Sequence, residues 1–83
     1  MSRTYSEDEL HAFQGIWVAK VMLSRIGDSA ARAEADLSWS CGFLKDEDKK
    51  DKMKALAGRM LMVEREAGNI YAELDRLRRE VEE

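Results

Sequence analysis

The chain has 83 residues, no proline and a charged fraction of 37%, which excludes a large multidomain protein and favours long, uninterrupted helices. Alanine, leucine, methionine, glutamate, lysine and arginine are abundant, and all are good helix formers. The formal net charge of −3 is too close to neutrality for a strongly basic nucleic-acid binder. We therefore expect an all-α protein that does not take nucleic acid as a partner.

The distribution of cysteine and apolar residues bears on where the protein works. Cys41 is the only cysteine, which excludes an intrachain disulfide and a thiolate cluster for zinc. The longest apolar run, residues 16–23, contains Lys20 and is too short to span a bilayer. The first ten residues are polar and acidic, unlike a secretory signal. These features predict a cytoplasmic protein without a membrane partner.

The first helix has a recognisable start. In the run Ser6-Glu7-Asp8-Glu9, the Ser6 hydroxyl can accept from the Glu9 N–H while the Glu9 carboxylate reaches back to Ser6. Acidic residues in the first turn also suit the positive end of a helix dipole. We expect helix one to cover about residues 6–44.

Apolar residues then recur with a heptad period, in alternating steps of four and three, which is typical of a coiled-coil seam. One stripe lies in helix one and the other in the second half of the chain, where a helix over about 49–82 is expected. The first stripe consists of Ala12, Ile16, Ala19, Leu23, Ile26, Ala30, Ala33, Leu37, Ser40 and Leu44. The second consists of Met53, Leu56, Met60, Val63, Ala67, Ile70, Leu74, Leu77 and Val81.

A short polar segment separates the two stripes, with Gly42 just before it. Glycine followed by a polar cluster is a helix stop signal, and a short connection makes consecutive helices antiparallel. The sequence thus predicts a single helical-hairpin domain over residues 1–83, with a tip at about 45–48. A kink or break at Gly27-Asp28, which would give three helices, is the alternative.

One seam between two helices buries too little apolar surface to offset an ordering entropy on the order of 100 kcal/mol. A second set of apolar residues lies off the seam and predicts an interface. We expect a homodimer that forms a four-helix bundle, with a different, unidentified protein as the alternative occupant. The predicted dimer or partner interface consists of Leu10, Phe13, Trp17, Val21, Leu61 and Met62.

The residues that could carry chemistry do not form a recognisable site in the sequence. His11 is the single histidine and has no soft or imidazole ligands at metal-binding spacing. Cys41 has no base nearby, because His11 belongs at the opposite end of the helix. We therefore expect no catalytic residues, no metal, no cofactor and no enzyme activity.

The tip is the second candidate binding surface, formed by Trp39, Phe43, Asp46, Glu47 and Asp48. Aromatic side chains dominate interface energetics, so the two rings would anchor a partner. Alternatively, they form a hydrophobic plug that closes the end of the bundle.

The pattern Tyr71-x-x-x-Asp75, with Trp39 and Gly42 near the turn, resembles WXG100-type proteins, which are small secreted helical hairpins that dimerise. Here two residues rather than one separate the tryptophan from the glycine, and Tyr5 to Glu9 fits the tail pattern equally well. The favoured prediction is a non-enzymatic interaction module, acting as a small regulator, adaptor or inhibitor of the kind that phages also encode. A WXG100-like secreted hairpin and a structural or scaffolding bundle are the alternatives.

Overall fold

A computed structural model describes residues 4–82 and confirms the predicted all-α hairpin. Helix α1 spans Glu7–Cys41 and helix α2 spans Glu47–Glu82, and the described residues contain no strand. The two helices pack against each other along their length and form a rod with extents of 65 × 18 × 15 Å.

The start of α1 has the predicted capping box. The Glu9 N–H donates to the Ser6 Oγ at 3.1 Å, and the Ser6 N–H donates to the Glu9 Oε1 at 3.1 Å. Both bonds satisfy backbone donors that have no partner within the helix, so this local sequence fixes where α1 begins.

The connection between the helices comprises residues 42–46, so α1 ends and α2 begins slightly earlier than the sequence indicated. After Gly42, the N–H groups of Phe43 and Leu44 donate to the carbonyls of Ser40 and Cys41 at 3.0 and 3.2 Å. The Asp46 carboxylate then accepts from the N–H groups of the first turn of α2, those of Asp48 at 3.0 Å and Lys49 at 3.4 Å. Asp46 therefore acts as the N-cap that starts α2.

Helix α1 continues through Gly27 and Asp28 without interruption, so the three-helix alternative does not form. Gly27 lies at a half-buried position, and a Cβ added there would meet nothing within 4 Å. Its backbone is helical like that of its neighbours, since no glycine among the described residues has a positive φ. The low helix propensity of this single glycine therefore does not interrupt α1.

The contact between the helices uses only part of each predicted stripe. The heptad positions that include Ile16 and Ala30 in α1, and Met60 and Ala67 in α2, are buried or half-buried. The alternate positions of the α2 stripe, Leu56, Val63, Ile70 and Leu77, are exposed instead, whereas the exposed members of the α1 stripe are Ala12 and Ile26. The prediction that the whole of both stripes forms the seam was therefore wrong.

A rotation of α2 about its own axis accounts for this difference. Ala57, next to Leu56 in the sequence, takes the inner position of α2, and Cys41 is buried in α1. Cys41 and Ala57 are 5% and 3% exposed, respectively. Their small side chains let the helices approach closely, whereas Leu56 would hold them apart.

The hairpin has only a small core of its own. The buried residues of the described chain are Ile16, Ala30, Cys41, Ala57 and Ala67, and three of these are alanine. No large side chain of the described residues is fully buried. An interior of this kind contributes little hydrophobic stabilisation, because alanine buries little area.

Candidate functional site

The stripe residues that rotate out of the seam form an open groove along one side of the hairpin. Ile26 and Leu56 are 46% and 51% exposed, and Val63 and Ile70 are exposed as well. We name this feature the apolar groove; its apolar lining residues are Leu23, Ile26, Leu37, Leu56, Met60, Met62, Val63, Ala67 and Ile70. Both helices contribute to it, so it exists only because the chain folds back on itself.

Residues of both stripes meet in this groove. Leu23 and Leu37 of the first stripe line it together with Leu56 and Ile70 of the second. The adjoining shallow depression is lined by Ala30 and Val63, one from each stripe, and is extended outward by Met22 of α1. The apolar surface therefore continues across both helices.

Charged residues stand at the α2 rim of the apolar groove. Arg59 and Glu66 line it, one heptad apart, with Met62 between them. Within the described residues 4–82, neither charge forms an ion pair. The two side chains are thus available to interact with charges on whatever covers the groove.

The opposite side of the hairpin has a different character. Successive residues of an α-helix are rotated by about 100°, so Met22 and Ser24 point to opposite sides of Leu23 around α1. The depression lined by Met22 and the surface lined by Ser24 therefore lie on opposite sides of the hairpin. We name this surface the polar side; it is lined by Leu23, Ser24, Gly27, Asp28, Ala31, Glu64, Ala67, Gly68 and Tyr71. Apart from Leu23, which also lines the apolar groove, small, polar and charged residues and one tyrosine replace the large aliphatic residues found there.

An ion pair joins the two helices at one end of the polar side. The Lys20 ammonium donates a hydrogen bond to the Asp75 carboxylate and lies 4.9 Å from the centre of the Tyr71 ring. The hydrogen bond with Lys20 lowers the pKa of Asp75, and the same bond raises the pKa of Lys20. Both side chains keep contact with solvent, so the pair specifies helix alignment more than it stabilises the fold.

The structure divides the predicted dimer interface between different surfaces. Trp17 and Val21 line a shallow depression with Lys20 and Tyr71, continuous with the polar side. Met62, from the same predicted set, stands at the rim of the apolar groove.

The remaining members of that set differ in exposure. Phe13 is half-buried, with the Tyr5 ring against it edge-on at 4.9 Å and the Arg78 guanidinium 5.6 Å from its centre. Leu10 and Leu61 are exposed. Phe13 therefore contributes to packing within the hairpin, whereas the two leucines remain open to solvent.

The tip presents its aromatic residues to solvent. Trp39 and Phe43 are 71% and 69% exposed, and their rings contact each other edge-on with centroids 4.7 Å apart. They do not plug the end of the hairpin, where Cys41 is buried instead.

The acidic residues of the tip have contacts within the chain. Asp46 caps α2, Glu47 lies 3.8 Å from the Lys50 ammonium, and Asp48 lies 3.0 Å from the Lys52 ammonium. The aromatic pair is therefore the part of the tip that is exposed to solvent. The three acidic residues mainly interact with the first turns of α2.

The other chemically reactive residues have ordinary surroundings. The His11 Nε2 lies 3.7 Å from the Glu7 carboxylate on an exposed helix face, and the Cys41 Sγ donates to the Ser38 carbonyl at 3.1 Å. Residues 4–82 contain no group of three or more histidine, cysteine or acidic side chains placed to hold a metal ion. In the same part of the chain, neither helix has a stretch apolar enough to cross a membrane.

No family model matches this sequence, and no match to a curated protein or to a solved structure was found.

Proposed function

We propose that this protein is a non-enzymatic helical interaction module, a small regulator, adaptor or inhibitor that acts by packing against another protein chain. One observation carries the proposal: a continuous apolar groove, contributed by both helices, lies open along one side of a hairpin that has little core of its own. Contiguous exposed apolar surface with a charged rim is typical of protein-binding sites.

The groove is suited to helical partners. Its lining residues Leu56, Val63 and Ile70 recur every seven residues along α2, which is the spacing that holds the side chains of a neighbouring helix. A helix laid into the groove would bury these side chains and complete the hydrophobic core that the single hairpin lacks.

The aromatic pair at the tip supports a second contact with a partner. Trp39 and Phe43 present two adjacent rings that the hairpin itself does not use for packing. Tryptophan is among the residues that contribute most to binding energy when a partner covers it. In this proposal the groove supplies assembly and the tip supplies recognition of the regulated protein.

Site-specific photo-crosslinking in cells that express the chain tests the proposal. A photoreactive amino acid at Met62, on the groove rim, is compared with one at Asp28, on the polar side, and adducts are identified by mass spectrometry. We expect Met62 to give a defined protein adduct and Asp28 to give little. A photoreactive residue at Phe43 reports separately on the tip.

The crosslinking pattern that contradicts the proposal is equally clear. If Met62 and Asp28 yield the same weak, heterogeneous adducts while the purified chain is helical, the groove is not a protein-binding site.

A further inference from the structure

We infer that the occupant of the apolar groove is a second copy of this chain, packed about a two-fold axis that passes close to Val63, with the two hairpins antiparallel. The inference deepens the proposed function, on which it rests, by naming the partner that covers the groove. Three independent observations support it: the surface area of the chain, the positions of the rim charges, and the sizes of the residues near the axis.

The surface area indicates that a large part of the hairpin is covered in its stable state. The chain exposes 6666 Å² at a mass of 9.5 kDa. A compact monomer of this mass is expected to expose about 5,000 Å², so the hairpin has an excess of about 1,600 Å². A typical stable interface buries about 800 Å² on each partner, and obligate homodimers bury more. One partner as long as the hairpin itself can cover the excess.

The rim charges match a second copy in one orientation. Arg59 and Glu66 lie on the same helix, on either side of the pair Met62 and Val63, and neither has an ion-pair partner within the described chain. A two-fold axis at that level brings each Arg59 opposite the Glu66 of the other copy. Each charge then gains one partner, and the same ion pair occurs twice in the dimer, as isologous symmetry requires.

The apolar residues satisfy the same axis. Leu56 and Ile70 are each seven residues from Val63, so an antiparallel α2 pair sets Leu56 of one copy against Ile70 of the other and Val63 against its symmetry mate. On α1, the small residues Ser29 and Ala33 line the depression beside Val63, together with the larger Met22, Arg25 and Ile26. The two small residues let the α1 helices of the two copies approach at this level, which completes a four-helix bundle.

Disulfide mapping in the full chain tests the arrangement. The parent is Cys41→Ser, whose hydroxyl can keep the hydrogen bond that the Cys41 thiol donates to the Ser38 carbonyl. A disulfide requires Cα atoms within about 7 Å, so only a residue close to the axis can link to its own copy. We expect Val63→Cys to form a covalent dimer on mild oxidation.

The matched control is Leu56→Cys, whose two copies would lie about 20 Å apart along the helices and should not link. Leu56→Cys mixed and refolded with Ile70→Cys should link. A parallel arrangement predicts the opposite result, with Val63→Cys unlinked to itself but linked to a cysteine at the exposed Ser29 of the other copy.

A charge exchange supplies a second readout that does not depend on cysteine chemistry. Arg59→Glu alone replaces two attractive pairs in the dimer with two repulsive ones and should weaken dimerisation about tenfold at low salt. Adding Glu66→Arg in the same chain restores both pairs with reversed polarity, and the affinity should return to within about threefold of the parent.

The outcomes separate this inference from the proposed function. If the chain sediments as a dimer but Val63→Cys does not link and the double exchange does not rescue, the axis is elsewhere and the inference is wrong. If the chain is a folded monomer, the occupant is not a second copy. In both cases a defined protein adduct at Met62 would leave the proposed function standing, and the absence of one would remove it.

Discussion

The two sides of this hairpin are built from the same two helices but are suited to different surroundings. The apolar groove contains leucine, isoleucine, valine and methionine, whose removal from water by a partner is favourable in free energy. The polar side contains Ser24, Asp28 and Glu64 with two glycines, and an ion pair between partly buried side chains closes one end of it. The difference shows that a heptad stripe can be divided, since part of the α2 stripe holds the hairpin together and part is open to solvent.

The largest expected effect comes from a charge in the apolar groove. Val63→Glu buries a carboxylate in the proposed dimer interface, and the cost should weaken dimerisation about a hundredfold. The melting temperature of the helices, at a fixed protein concentration, should also fall, because assembly stabilises the fold. Sedimentation equilibrium and circular dichroism measure the two effects.

The matched control for that change is Trp17→Glu, which removes a large exposed residue from the surface continuous with the polar side. We expect it to leave the dimer intact. If Trp17→Glu abolishes the dimer and Val63→Glu does not, the interface lies at the surface that contains Trp17, as the sequence pattern first suggested.

A larger side chain at the buried contact between the two helices should destabilise the hairpin. Ala67 is 5% exposed between the helices, and Ala67→Leu should destabilise the hairpin by about 1–3 kcal/mol through overpacking. Ala72→Leu, at an exposed position, should change the stability by less than about 0.5 kcal/mol. Urea unfolding of both variants at one protein concentration tests this, and equal effects would mean that the helices are rotated differently.

A smaller effect of opposite sign is expected on the polar side. A Cβ added at Gly68 meets nothing within 4 Å, so Gly68→Ala should stabilise the fold by about 0.5–1 kcal/mol through its higher helix propensity. Urea midpoints provide the measurement. Destabilisation by this substitution would indicate that another chain packs closely against the polar side.

The smallest expected effect is the pH dependence contributed by the ion pair between Lys20 and Asp75. The lowered pKa of Asp75 means that its contribution is present above about pH 4 and is lost as the pH falls through the folded-state value. The raised pKa of Lys20 means that its contribution is present below about pH 10 and is lost as the pH rises through the folded-state value.

Asp75→Asn removes that dependence and provides the test. The stability difference between the parent and Asp75→Asn should be largest near neutral pH and should shrink toward pH 3, as measured by urea midpoints. Asp28→Asn is the control, since Asp28 has no ion pair among the described residues. A difference that stays constant with pH would show that Lys20 does not hold the Asp75 carboxylate in solution.

Much of the fold follows from local sequence signals. The capping box at Ser6 and Glu9, the two heptad stripes and the polar segment after Gly42 were sufficient to predict two antiparallel helices. These signals act within one or two helical turns, so they can be recognised without knowledge of the tertiary structure.

The groove could not be located from the heptad stripes alone, because a repeat of seven fixes which residues share a face but not how far each helix turns about its axis. That rotation depends on the sizes of the residues beside the stripe, here Cys41 and Ala57, which are buried in the hairpin. Their small size was the available signal. For α2 it would have indicated that Ala57 lies inside and Leu56 belongs to an exposed surface.

Sedimentation equilibrium of the full chain over a wide concentration range tests most directly whether a second copy covers the apolar groove. The quantity measured is the solution mass. We predict a helical species with twice the mass of the 9.5 kDa chain, which dissociates only on dilution and together with loss of helix. A stably helical species at 9.5 kDa across the whole range would contradict it.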